Sequence, residues 1–160
     1  MITWLLDVDG VLNINKSPWH EKPRQKTVYA LGRAFRMRYC PSLVREIKTI
    51  ANEFDINVVW ATSWANHIDQ IEKCFGLYGW GTMFLPWDDP PAFDYKIHAA
   101  IEYQEKGHHL IWTDDHSPWA GTLANRQFHD RGHLLIGPDE RYGLTPEDID
   151  RIKEYANQHR

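Results

Sequence analysis

Trp4-Leu5-Leu6-Asp7-Val8-Asp9-Gly10-Val11-Leu12-Asn13 decides how the rest of the chain is to be read. An apolar run ends on two aspartates one residue apart, with a glycine directly behind them. Successive side chains of a strand point to opposite faces, so carboxylates at i and i+2 face the same way while strand geometry holds. Gly10 lets the chain turn sharply where the strand stops. The stretch therefore predicts a pair of acids at the carboxyl end of a buried strand, where open α/β sheets place their ligands. Two close carboxylates repel, so a divalent cation, a proton or a lysine must neutralise them.

Working outward, residues 2–7 read as the first strand. Residues 14–40 are the least regular part. Within them Phe35, Met37 and Tyr39 alternate with Arg36 and Arg38, a strand period. A β-hairpin flap turning near Gly32 and Arg33 is the expectation for about 14–40. Pro41 suits the first position of a helix, and Leu43, Val44, Ile47, Ile50, Ala51 and Phe54 mark its buried face. Residues 56–61 read as a second buried strand ending at Thr62 and Ser63. Trp64, Ile68, Ile71 and Phe75 mark the next helix, closed by Gly76. A short strand over 82–85 and a proline-dense loop over 86–91 follow. Lys96 opens a helix carrying Ile97, Ala100 and Ile101 and stopped at Gly107. Residues 110–113 are a fourth strand, ended by Asp114 and Asp115. Ser117 and Pro118 read as the cap and first turn of another helix. Residues 134–136 are a fifth strand. Thr145-Pro146-Glu147-Asp148 is a capping box for a last helix with Ile149, Ile152 and Tyr155 inward. Strands alternating with helices predict an α/β fold: a parallel sheet covered on both faces.

Composition narrows the class. The 160 residues, 42% of them apolar, suit one domain over 1–160 with a real core. Cys40 and Cys74 make no disulfide framework, and none of the nine histidines pairs with a cysteine at zinc spacing. No apolar run is long enough to span a membrane and Met1 leads straight into a strand, so a cytoplasmic protein is expected. The formal net charge is −4. From Lys16 to Arg38, however, seven basic residues face Glu21 alone, a net of +6 against −10 for the remainder. Such segregation suggests a polyanionic partner.

Asp7-Val8-Asp9-Gly10-Val11-Leu12 resembles the first motif of the haloacid dehalogenase (HAD) superfamily of phosphohydrolases. A calcium loop would need further oxygen ligands where Val11 and Leu12 stand. Asp7, Asp9, Thr62, Lys96, Asp114 and Asp115 follow in the order of the four HAD motifs. A receiver domain uses similar residues, but places its acid pair on the first strand and its phosphorylated aspartate later. The resemblance implies a Rossmann-like sheet with the first-motif strand central. It also implies roles: Asp7 as nucleophile, Asp9 as general acid and then base, Thr62 as a phosphoryl contact, and Lys96 as the cation that holds Asp7. Asp7, Asp114 and the Asp9 backbone carbonyl would hold Mg2+, with Asp115 supporting them. The residues leave Thr62 and Ser63 as alternatives for the phosphate contact, and Asp114 and Asp115 taken alone would suit an ordinary helix cap.

The chemistry is coherent. A carboxylate can attack phosphorus and split one hard step into two, provided that a metal and a lysine screen anion from anion. Neither gap between motifs holds a folded cap domain, so an open site and a large substrate are expected. The basic flap, with Arg33, Arg36 and Arg38, points to a nucleic-acid or nucleotide end phosphate. Trp19, Trp64, Trp87 and Trp119 are expected near the site, where rings could stack on bases. Trp60-Ala61-Thr62-Ser63-Trp64 is similar to capless HAD domains of RNA repair proteins, which agrees. A protein or small-metabolite phosphatase, or a non-catalytic phosphate-binding module on the same scaffold, is the alternative.

Overall fold

Every residue of the first strand, β1 (Ile2–Leu6), is buried, which requires cover on both faces and neighbours on both edges. The computed structural model, which describes residues 1–83, 92–115 and 123–160, supplies both. The remaining strands are β2 (Arg24–Ala30), β3 (Arg33–Tyr39), β4 (Asn57–Trp60), β5 (Gly81–Thr82), β6 (His109–Thr113) and β7 (Leu134–Ile136). The helices are α1 (Pro41–Glu53), α2 (Ile68–Phe75), α3 (Ala92–Glu105), α4 (Leu123–Asp130) and α5 (Pro146–Gln158). Five strands form one sheet in the order β5-β4-β1-β6-β7, and every pairing in it is parallel. β1 is central, as the resemblance implies.

Strand alternation builds two cores from one sheet. Trp4 and Leu6 of β1 join Ile111, Val58 and Trp60 against α1, α2 and α5, through Leu43, Ile47, Ile71 and Ile152. Leu5 joins Val59, Trp112 and Leu135 against Ala100 of α3 and Phe128 of α4. The caps are those of the sequence. Pro41 opens α1, Gly76 closes α2 in the left-handed conformation, and Thr145 with Asp148 forms the capping box of α5.

β2 and β3 form a separate antiparallel hairpin whose register pairs Ala30 with Arg33. That leaves Leu31 and Gly32 as the whole turn, at φ 53° and 67°. Positive φ at both central residues gives the twist that two-residue hairpins favour. The hairpin is fixed to the body. Ile14 N–H donates to the Arg38 carbonyl (2.8 Å), Lys26 Nζ donates to the Cys74 carbonyl (2.9 Å), and Tyr39 meets Phe75 edge-on.

Some expectations need adjusting. Lys96 does not open its helix: α3 starts at Ala92, and Lys96 lies one turn inside. The apolar period used to place that start is weak here, because a lysine, Lys96, shares the buried side with Ala100 while Ile97 and Ile101 are only half-buried. β5 ends at Thr82, and the rest of the expected 82–85 strand lies outside the described residues. So do the 86–91 loop with Trp87, the Ser117-Pro118 cap, and Trp119.

Candidate active site

The β1–β6 ladder runs one residue past the end of β1. Asp7 N–H donates to the Thr113 carbonyl at 3.2 Å, so Asp7 keeps strand geometry and shares the parity of Leu5, which faces α3. Asp114 is placed likewise: its N–H donates to the Ile136 carbonyl (3.1 Å), and it shares the parity of Trp112. Lys96, one turn before the fully buried Ala100 on α3, lies on that helix's sheet-facing side. The three side chains meet. Lys96 Nζ donates to Asp114 Oδ2 at 2.6 Å and lies 3.3 Å from Asp7 Oδ2. Asp7, Lys96 and Asp114 are all buried.

One ammonium among several carboxylates does not balance the charge. Burial pushes the Asp7 carboxyl up to about 8, with Asp114 and Asp115 adding to the rise, although Lys96 pulls against it. The paired carboxylates push Lys96 up in turn, against its desolvation. Asp7, Asp114 and Asp115 each offer a carboxylate oxygen, all within 4.8 Å of one another. An all-oxygen donor set with surplus negative charge is what Mg2+ favours, so these residues fit the cation that the family resemblance implies.

Gly10 makes this cluster possible. Its φ is +73°, and a Cβ there would run into the Asp115 carboxylate. The backbone turns at this point: Val8 O accepts from the N–H groups of Val11, Leu12 and Asn13. Strand geometry is thus lost between Asp7 and Asp9, and the two acids do not remain a close pair. Asp9 is exposed, and its oxygens are held by other groups. Asn13 Nδ2 donates to Oδ1 (2.9 Å) and Trp64 Nε1 donates to Oδ2 (3.1 Å). The Asp9 side chain is outside the three-acid cluster, which leaves its backbone carbonyl as the atom available for the metal role expected of it.

Thr62 is fully buried two residues past β4. Its Oγ1 accepts from Trp64 N–H at 3.2 Å, which leaves the hydroxyl proton to donate. Ser63 is exposed and lines a pocket of about 210 Å3 with Asp9. The tryptophan expectation is corrected: Trp64 is only 7% exposed and packs edge-on against Phe35. Its indole positions Asp9 and is not a stacking surface. The half-buried Trp19 donates its N–H to the Leu144 carbonyl (3.0 Å). The flap arginines also divide. Cross-strand partners share a face, so Arg33 lies with Ala30, Phe35 and Met37, while Arg36 and Arg38 lie on the other face with Thr27 and Gln25. The Arg33 guanidinium sits over the Phe35 ring.

The family model for the HAD domain in Swiss Army Knife RNA repair proteins matches residues 3–149, from β1 into the first turn of α5. The chain belongs to that family. The six residues expected to carry the motifs lie inside the match, and membership supports phosphohydrolase chemistry at family level. No curated protein matches the chain. Among the described residues, no helix is long and apolar enough to cross a membrane.

Sequence reasoning missed Asn13 and the indole of Trp64 as the holders of Asp9. Asn13 Oδ1 also accepts from the Arg38 backbone N–H (3.0 Å), so one amide joins the acid to the flap. The signal was weak: Asn13 follows Asp9 by four residues in a segment without regular structure.

Proposed function

We propose that this HAD domain is a cytoplasmic, Mg2+-dependent phosphomonoesterase acting through an aspartyl phosphate on Asp7, with nucleic-acid or nucleotide end phosphates as substrates. The observation that carries the reading is the division of labour between two acids. Asp7 is buried against Lys96 and Asp114, whereas Asp9 is held apart at the mouth of the pocket. Lys96 and a cation on the clustered carboxylates would keep Asp7 ionised for attack, and an acid that meets a leaving group needs the more open position of Asp9.

In the first step an Asp7 carboxylate oxygen bonds to phosphorus, and the bond to the ester oxygen breaks. Asp9, protonated, gives its proton to that departing oxygen. In the second step Asp9, now a carboxylate, takes a proton from water as the water oxygen attacks phosphorus and Asp7 is released. Lys96 offsets charge on the phosphoryl oxygens and keeps the Asp7 side chain oriented. Thr62 donates its hydroxyl to a phosphoryl oxygen. Mg2+, held by Asp7, Asp114, Asp115 and the Asp9 carbonyl, would screen the phosphate charge from the attacking carboxylate. The +6 flap segment beside the pocket supports a polyanionic substrate.

The test is hydrolysis of an aryl phosphate and of phosphorylated oligonucleotides, with and without Mg2+. Turnover should need Mg2+, vanish in Asp7→Asn, and fall on the order of 100- to 10,000-fold in Asp9→Asn. Thr62→Val against Ser63→Ala separates the two phosphate-contact alternatives. Wild-type protein that binds phosphate esters but never turns them over would make the domain a binding module.

A further inference from the structure

We propose that the pocket under the flap tip is the subsite for the leaving nucleoside, with Leu31 and Phe35 as the walls that receive its base. This rests on the phosphomonoesterase reading above and adds to it a chemical class for the group that departs. The pocket, of about 210 Å3, is bounded by Asp9, Ser63 and Trp64 below and by Leu31, Phe35 and Arg36 of the hairpin above. Asp7, Lys96 and Asp114 take no part in it. It therefore lies on the acid's side of the site and not on the nucleophile's. A general acid must reach the departing oxygen, so whatever carries that oxygen occupies the space beside Asp9.

The walls give that occupant its character. They are mainly carbon, from Ala30, Leu31, Phe35 and Met37. Sites for drug-sized ligands run to about 300–1,000 Å3, so this one takes a single ring system. Phe35 is held from two directions, edge-on by Trp64 at 5.2 Å and by the Arg33 guanidinium at 5.8 Å. Arg36, which also lines the pocket, suits a further phosphate of a nucleotide chain, which favours a nucleotide over an uncharged aryl group.

Leu31 is the independent observation. It sits at φ 53° in the first position of a two-residue turn, where glycine, asparagine and aspartate are at ease and leucine is strained. Its side chain is 63% exposed, so burial in the core does not repay the strain. Retained strain with no packing return is a mark of ligand contact. Here the strained side chain projects apolar surface onto the rim of the pocket that contains the general acid.

The experiment uses Leu31→Gly, which removes the side chain and relieves the backbone together. Three quantities are measured on wild type and variant: thermal midpoint, tryptophan-fluorescence titration with adenosine and uridine, and the ratio of kcat/KM for a mononucleotide to that for glycerol phosphate. The expected result is an equal or higher midpoint, weaker nucleoside binding, and a ratio lower by about 5- to 100-fold, the range for losing one base contact. An unchanged ratio with unchanged nucleoside binding would reduce Leu31 to a turn residue and overturn the proposal. A midpoint lowered by several degrees would make Leu31 a support of the hairpin and overturn it also. A larger loss on a phosphotyrosine peptide than on mononucleotides would assign the pocket to an aryl side chain. Should the wild type hydrolyse no phosphate ester, the catalytic reading falls. The nucleoside titration would still decide the pocket: saturable binding lost in Leu31→Gly upholds it, and no binding to wild type ends it.

Discussion

Asp7 and Asp9 stand two residues apart, yet they answer to different neighbours. Lys96 and the sheet hold the first, while Asn13 and Trp64 hold the second. Trp64→Phe should keep the edge-on packing against Phe35 while deleting the N–H that holds Asp9. Losing a hydrogen bond to a charged group is expected to lower kcat by roughly 10- to 100-fold, with little change in thermal midpoint. A steady-state assay with a melting curve separates this from a packing defect, which would lower the midpoint instead. Gly10→Ala meets two obstacles, a positive φ and the Asp115 carboxylate. The backbone alone should cost about 1–2 kcal/mol, and displacement of Asp115 should weaken Mg2+ binding. Denaturant titration and Mg2+ titration of the same variant read the two effects.

At the scale of elements, the flap was legible in the sequence and its facing was not. The alternation of Phe35, Met37 and Tyr39 with arginines announced a strand, and Gly32 announced the turn. Arg33 was grouped with Arg36 and Arg38 because it read as part of the turn, where strand parity does not apply. The turn lies between Ala30 and Arg33, and this register puts Arg33 beside Phe35 and the other two on the opposite face. The places of Asp7, Thr62 and Asp114 were legible because each follows an apolar run that reads as a strand, whereas that of Lys96 inside its helix was not. Asn13 was illegible because its role depends on a backbone turn and on a hairpin 25 residues away. If Arg36 and Arg38 follow a nucleic-acid backbone, Arg36→Ala with Arg38→Ala should flatten the log-log salt dependence of oligonucleotide binding. The expected change is about 0.7 per lost phosphate contact on a single strand. Arg33→Ala should affect the slope less, and a larger effect from Arg33 would contradict the division by face.

For the molecule as a whole, the three clustered carboxylates carry more negative charge than the Lys96 ammonium offsets, which opposes folding unless a second cation joins them. Protein stripped by a chelator should therefore melt lower than protein in Mg2+, because a ligand of the native state stabilises by mass action. Asp115→Asn should shrink that difference, as calorimetry with and without Mg2+ would show. At the other end of β6, His133 Nδ1 accepts from the Leu110 N–H at 3.2 Å, and Nε2 pairs with Gln104 Oε1 at 3.0 Å. Burial, with nearby His109 and Arg131, lowers the His133 pKa from 6.5 to about 4. The unfolded chain then binds a proton that the folded chain refuses. The contribution of His133 is complete above pH 6.5 and is lost as pH falls towards 4. His133→Asn, which keeps an acceptor without the titration, should lose less stability across that window; urea midpoints measured every half unit would show the divergence.

Both partners of Asp9 also touch the hairpin, Asn13 through the Arg38 backbone and Trp64 through Phe35. Asp7, by contrast, is fastened to the central sheet. The acid beside the leaving group is thus seated partly through the hairpin, and the nucleophile through the sheet alone. A substitution that disturbs how the hairpin packs should therefore shift the Asp9 carboxylate and leave Asp7 in place, so proton delivery is expected to suffer while Mg2+ binding at Asp7, Asp114 and Asp115 holds.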